Sequence, residues 1–72
     1  MFHKILFRRD CTVDCKSPGK ARLEKMKIKE GDVVEAQVRP HWEPGRPPDD
    51  LADVNLGEVE LLAVPYDYFR FE

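Results

Sequence analysis

The clearest alternation of apolar and polar positions lies in the middle of the chain. Val34, Ala36 and Val38 alternate with Val33, Glu35, Gln37 and Arg39, the period of two that a half-buried strand requires. The preceding "KEGD" has turn chemistry, with Gly31 free to take positive φ. Further on, "GEVELLAV" predicts a strand over 57–64, with Val59, Leu61 and Ala63 opposite Leu62 and Val64. At the start, "FHKILFRR" alternates imperfectly and predicts a strand over 2–9, with His3, Ile5 and Phe7 on one side. "DCTVDC" is short and β-compatible, a second strand or an edge. "YDYFRF" ends the chain as another strand or an extended arm, with Tyr66, Tyr68 and Arg70 on one side and Phe69 and Phe71 on the other.

Other segments depart from that period. "SPGKARLEKMKI" opens with Ser17 as an N-cap and Pro18 at the first helical position. Leu23 and Met26 are three apart, and Ala21 and Arg22 favour helix, so the pattern predicts a short helix over 18–26. A hairpin turn at "SPGK" is the competitor, and Gly19 weakens the helix. "DDLADVNLG" adds one helical turn. Between them "RPHWEPGRPPDD", Arg39 to Asp50, holds four prolines. Proline cannot donate to a ladder and keeps the residue before it out of the helical region, so this stretch reads as loop or polyproline-like. The expected fold is mainly β: four to five antiparallel strands in a sheet or small open barrel, with one short helix near 18–26. Counting that helix makes it a small α+β variant. One small domain fills 1–72, with the proline-rich loop 39–50 inside it.

Size limits the chemistry. The chain has 72 residues, near the length at which only about 60% of the unfolded surface is buried. Apolar content of 42% and charge of 36% fit an ordinary globular chain. No apolar run approaches the roughly 20 residues of a membrane span, and Ile5, Leu6 and Phe7 are too few for a signal-peptide core. The cytoplasm is the expected compartment, with no membrane partner. There is no Gly-rich phosphate loop, nucleophile elbow or paired-histidine metal motif. The expected protein is not an enzyme and uses no cofactor.

Charge and cysteines add two further readings. Residues 1–30 carry nine Lys/Arg against four acids, and residues 31–72 carry three Arg against ten acids. Such a split yields a basic and an acidic face unless the two halves share a sheet and pair their charges across strands, which is the expected outcome. Cys11 and Cys15, with His3 and His41, have the residue types of a Cys2His2 zinc site. The histidines flank the pair without a spacing of their own, so two buried or edge thiols are expected and no metal.

"PGKARLEKMKIKEGDVVEAQV", Pro18 to Val38, resembles the core of the AbrB/MazE-type swapped-hairpin DNA-binding domains. Pro18, Arg22, Met26, Ile28, Gly31 and Asp32 match that pattern, with one extra residue between Arg22 and Met26 and Lys27 in place of the turn glycine. The resemblance covers 18–38 and implies an intertwined homodimer that lays basic side chains on DNA. Lys16, Lys20, Arg22 and Lys25 are the candidates for that contact.

The proline-rich loop carries the first-ranked function. Loops longer than about 12–15 residues without secondary structure of their own are uncommon in compact domains and are often functional. Trp42, the chain's only tryptophan, is the residue type most enriched at interface hot spots. Arg39, His41, Trp42, Arg46, Asp49 and Asp50 form the candidate partner-binding set, backed by the acidic C-terminal half. The expected function is a small non-catalytic binding protein, an adaptor or inhibitor of a larger protein or complex. Nucleic acid ranks second, as partner of a dimeric regulator. The sequence leaves open whether Trp42 is exposed, and the oligomeric state.

Overall fold

The computed structural model of the chain describes residues 1–45 and 50–72. Its strands are β1 (His3–Phe7), β2 (Cys11–Lys16), β3 (Glu24–Ile28), β4 (Val33–Pro40), β5 (Leu51–Asn55), β6 (Glu60–Pro65) and β7 (Phe69–Phe71). They form one open sheet in the order β3-β2-β6-β5-β4-β1-β7, every pairing antiparallel. The fold is thus mainly β, with seven strands rather than four to five. No α-helix occurs among the described residues; a 3-10 turn at Tyr66–Tyr68 is the sole helical element there. Accordingly, no described helix is long and apolar enough to cross a membrane.

The helix expected over 18–26 is replaced by a turn and β3. The Lys20 N–H donates to Ser17 O at 3.3 Å, and Gly19 sits at φ 76°, so "SPGK" is a tight turn with proline and glycine in the type II positions. Beyond it burial follows a period of two: Ile28 is buried, Met26 half-buried, and Lys25 and Lys27 exposed. A helix would have put Met26 and Ile28 on opposite sides, whereas a strand turns both inward. Leu23, the other half of the apparent helical stripe, is exposed. The helical turn expected in "DDLADVNLG" is likewise a strand, β5, with Ala52 and Val54 buried.

Seven strands laid flat would make a slab about 29 Å wide and only about 10 Å thick. The backbone measures 30 × 28 × 25 Å, so the sheet curls strongly. β4 carries the curl: its first half, Val33–Ala36, pairs with β1, and its second half, Gln37–Pro40, pairs with β5 on the other side. At one end the β1–β2 and β3–β4 turns are tied together. Phe7 N–H donates to Asp32 O at 2.9 Å, Gly31 N–H to Phe7 O at 2.8 Å, and Glu30 N–H to the Asp10 carboxylate at 2.8 Å.

The enclosed face packs Ile5, Phe7, Val13, Val54, Leu61, Val64 and Phe69 with smaller neighbours. β6 contributes both Leu61 and Val64, three apart, which strict alternation forbids. The register explains it: Val54 faces Leu61 and Ala52 faces Val64. β6 therefore sets two residues, Leu62 and Ala63, against the single Asp53, a β-bulge. Ala63 takes φ 55°, the only non-glycine residue at positive φ among the described residues. The expected strand face of Val59, Leu61 and Ala63 is corrected by this extra residue.

Two outcomes are expected by urea denaturation. Leu61→Ala should lose about 2–5 kcal/mol, most of the roughly 3–5 kcal/mol that a core of this size supplies, leaving the domain largely unfolded. Ala63→Gly should be neutral or stabilising by up to about 1 kcal/mol, because glycine tolerates the left-handed backbone, whereas Ala63→Val should destabilise.

Candidate functional site

β4 and β5 form a hairpin whose loop spans the residues between Pro40 and Leu51. The strand runs two residues into the loop expected over 39–50: Arg39 and Pro40 belong to β4, opposite Asp53 and Ala52. Proline is tolerated there because Pro40 and Ala52 form a non-hydrogen-bonded pair, so the N–H donated to β5 comes from His41 and not from residue 40. The ladder is closed beyond it by the His41 N–H, which donates to Leu51 O at 2.9 Å.

A second clamp secures the same point. His41 Nδ1 donates to Asp53 Oδ1 at 2.7 Å, and both side chains are about four-fifths covered. The same carboxylate oxygen accepts the N–H of Ala63 at 3.2 Å. Asp53 thus joins three elements: the loop base, β5 and the bulge of β6. Arg39, next along the same face of β4, bonds the Glu60 carboxylate at 2.9 Å. Of the expected binding set, Arg39 and His41 are therefore engaged within the molecule.

Trp42 follows directly and has no such attachment. It is 77% exposed, the highest value among large apolar side chains after Met1. Its ring makes no aromatic or cation–π contact among the described residues. Beyond it, Pro44 and Gly45 lie in a turn, Gly45 at φ 80°. Asp50 is exposed where the chain enters β5. Arg46 and Asp49 lie outside the described residues. The result is a hairpin loop with a fixed base and an indole ring held in water beside it.

Asp53, Glu60 and Ala63 were not foreseen as parts of this region. The signal lay in the register: once Pro40 is set opposite Ala52, His41 and Asp53 become diagonal neighbours on one face. That register depends on the β5 strand, which the sequence pattern had presented as a helical turn.

The candidate DNA-contacting cations lie elsewhere, around the β2–β3 turn. Lys20 pairs with Glu24 at 3.1 Å, and Lys25 pairs with Asp14 across the strands. Lys16 and Arg22 are exposed and form no ion pair among the described residues. An open groove of about 520 Å³ runs between this turn and the β5–β6 turn. Lys16 and Lys20 on one wall face Glu58 and Glu60 on the other.

Cys11 and Cys15 are free thiols on the inward face of β2. Four residues of extended strand separate them by about 13 Å, beyond disulfide reach and beyond a shared metal ion. No group of three potential metal ligands occurs among the described residues. Burial pushes the Cys11 thiol up; Arg9 opposes this and Asp10 adds to it. The aromatic tail is also rearranged. Tyr66 and Tyr68 sit in the 3-10 turn and pack against the core, Arg9 lies 5.0 Å over the Tyr68 ring, and Phe69 is buried while Phe71 is exposed.

No family model, curated protein or solved structure matches the chain. What the chain does must be read from these residues.

Removing the shared acceptor should be the costliest polar change here. Asp53→Ala should lose about 1–3 kcal/mol, since it orphans the part-buried Ala63 N–H and frees His41. His41→Ala should lose less, a difference that urea titration of both variants resolves. Because its ionisation is pushed up, Cys11 should carry less thiolate at a given pH than a free cysteine. Peptide-resolved mass spectrometry should find its alkylation by iodoacetamide slower than that of a model thiol, with the rate rising into more alkaline solution.

Proposed function

We propose that this protein is a non-catalytic binding module that docks on a larger protein or protein complex through the β4–β5 hairpin loop, as an adaptor or inhibitor. The observation that carries the reading is the exposed Trp42 ring beside a doubly clamped loop base. A tryptophan in water gains more from burial at an interface than most other side chains. The clamp supports the reading energetically, because a partner meeting a fixed base loses less conformational entropy on binding. Proline on both sides of Trp42, at positions 40 and 44, stiffens the neighbouring backbone.

In this reading Trp42 is the anchor, and Arg39, His41 and Asp50 form a polar border. The acidic second half supplies the wider surface: residues 50–72 hold six acids and one arginine. The second reading, a dimeric DNA-binding regulator, draws on the six cations and one acid of residues 16–29. Two of those cations are already ion-paired, and the helix that the swapped-hairpin resemblance requires is absent. Nucleic-acid binding of that kind would fall steeply with added salt, whereas an indole-anchored contact would fall little.

Trp42→Ala separates docking from folding. The variant should keep its melting temperature within about 4 °C, the scale of a change below 1 kcal/mol in a domain of this size. Capture of a specific partner from cell extract by the immobilised protein should weaken by about thirtyfold or more, as for a hot-spot tryptophan. A large drop in melting temperature, or equal capture by both proteins, would sink the proposal.

A further inference from the structure

The sheet ends on one side at β3, which pairs with β2 and with no other strand among the described residues. In an antiparallel strand every second residue turns its N–H and C=O away from its partner, so β3 offers a row of open backbone groups. Lys25 and Lys27 project from its exposed side. Arg22 precedes the strand and Lys29 follows it. Lys25 is paired with Asp14, whereas Arg22, Lys27 and Lys29 form no ion pair among the described residues. Lys27 lies opposite uncharged Thr12. A cleft of about 280 Å³ lies at the β2–β3 end, between Lys27 and Lys29 on one side and Cys11 and Thr12 on the other.

Lysines on a sheet edge discourage self-association. Two copies of β3 paired antiparallel about Met26 would set Lys25 against Lys27, a like-charge contact on every repeat. The same lysines favour a strand that carries acids at alternate positions. The other edge of β2 shows such a pairing within the molecule, where Lys16 lies opposite Glu60 of β6.

We propose that β3 is a strand-addition site for an extended acidic segment of another protein, which would pair along Glu24–Ile28 with its acids beside Lys25 and Lys27. The backbone supplies the pairing and the lysines choose the sign of the guest. The site is separated from β4 and β5 by β2 and β6, and it is independent of the Trp42 reading.

The test is a titration of the whole protein, labelled with ¹⁵N, by a short peptide that alternates glutamate with valine. Saturable binding is expected, with shifts confined to β2 and β3 and slowed hydrogen exchange at alternate β3 amides. The lysine-for-glutamate peptide should not bind. An equally acidic peptide with a central proline should bind about tenfold more weakly or worse, since it cannot complete the ladder. Lys27→Glu should weaken the acidic peptide by about tenfold or more at unchanged melting temperature. Lys25 is left intact in that variant, so its pair with Asp14 is undisturbed. Equal binding of the proline peptide would mean charge alone and would overturn the proposal. So would absent binding, or a single-stranded oligonucleotide that occupies the same residues more tightly than the peptide.

Discussion

Among the described residues eleven side chains are buried on the inner face of the strands, and there is no α-helix to cover them. The sheet must therefore act as its own second layer, and its shape follows from that need. Curling demands a strand that two parts of the sheet can share, and β4 serves with its two halves paired on opposite sides. It also demands a local gain in twist, which the extra residue in β6 provides. The left-handed backbone at Ala63 belongs to that device. Asp53 holds it in place by accepting the Ala63 N–H, and with the same oxygen it holds His41. One carboxylate thus links the bulge that helps to curl the sheet to one of the two clamps on the loop base.

Charge follows the same architecture. The two halves of the chain do share the sheet, as expected, but they do not mix evenly. β2 and β3 lie together at one margin, while the acid-bearing β5 and β6 lie inside it. The basic surplus is therefore gathered at the β3 edge. Ion pairs such as Arg39–Glu60 and Lys25–Asp14 lie on the outer face, where each contributes little to stability. Their larger effect is to decide which side chains remain available to a partner.

Much of the fold was legible where one face is buried and the other wet. Val34, Ala36 and Val38 announced β4, and Ile5 with Phe7 announced β1. What failed had physical causes. Leu23 and Met26 share a helical spacing, yet Leu23 is exposed, and the Pro18–Gly19 turn set the following strand instead. β5 was hidden because "LADVN" contains residues with weak strand preference and gains its conformation from β4 and β6 on either side. Ala63 could not be foreseen, since a bulge is a property of a pair of strands. The candidate site was partly legible: tryptophan among prolines drew attention to the loop, while the clamp beneath it needed the β4–β5 register.

The sheet order also places the first strand beside the last. β1 lies between β4 and β7, and Glu72 N–H donates to Lys4 O at 2.9 Å. A chain emerging from the ribosome would release β1 more than sixty residues before the strand that covers its free side. Until then β1 keeps one side unpaired and Phe69 is missing from the core. Contacts this distant in sequence slow the approach to the native state. Acquisition of the fold thus waits on Phe69–Phe71, and removing those residues would reopen one side of β1.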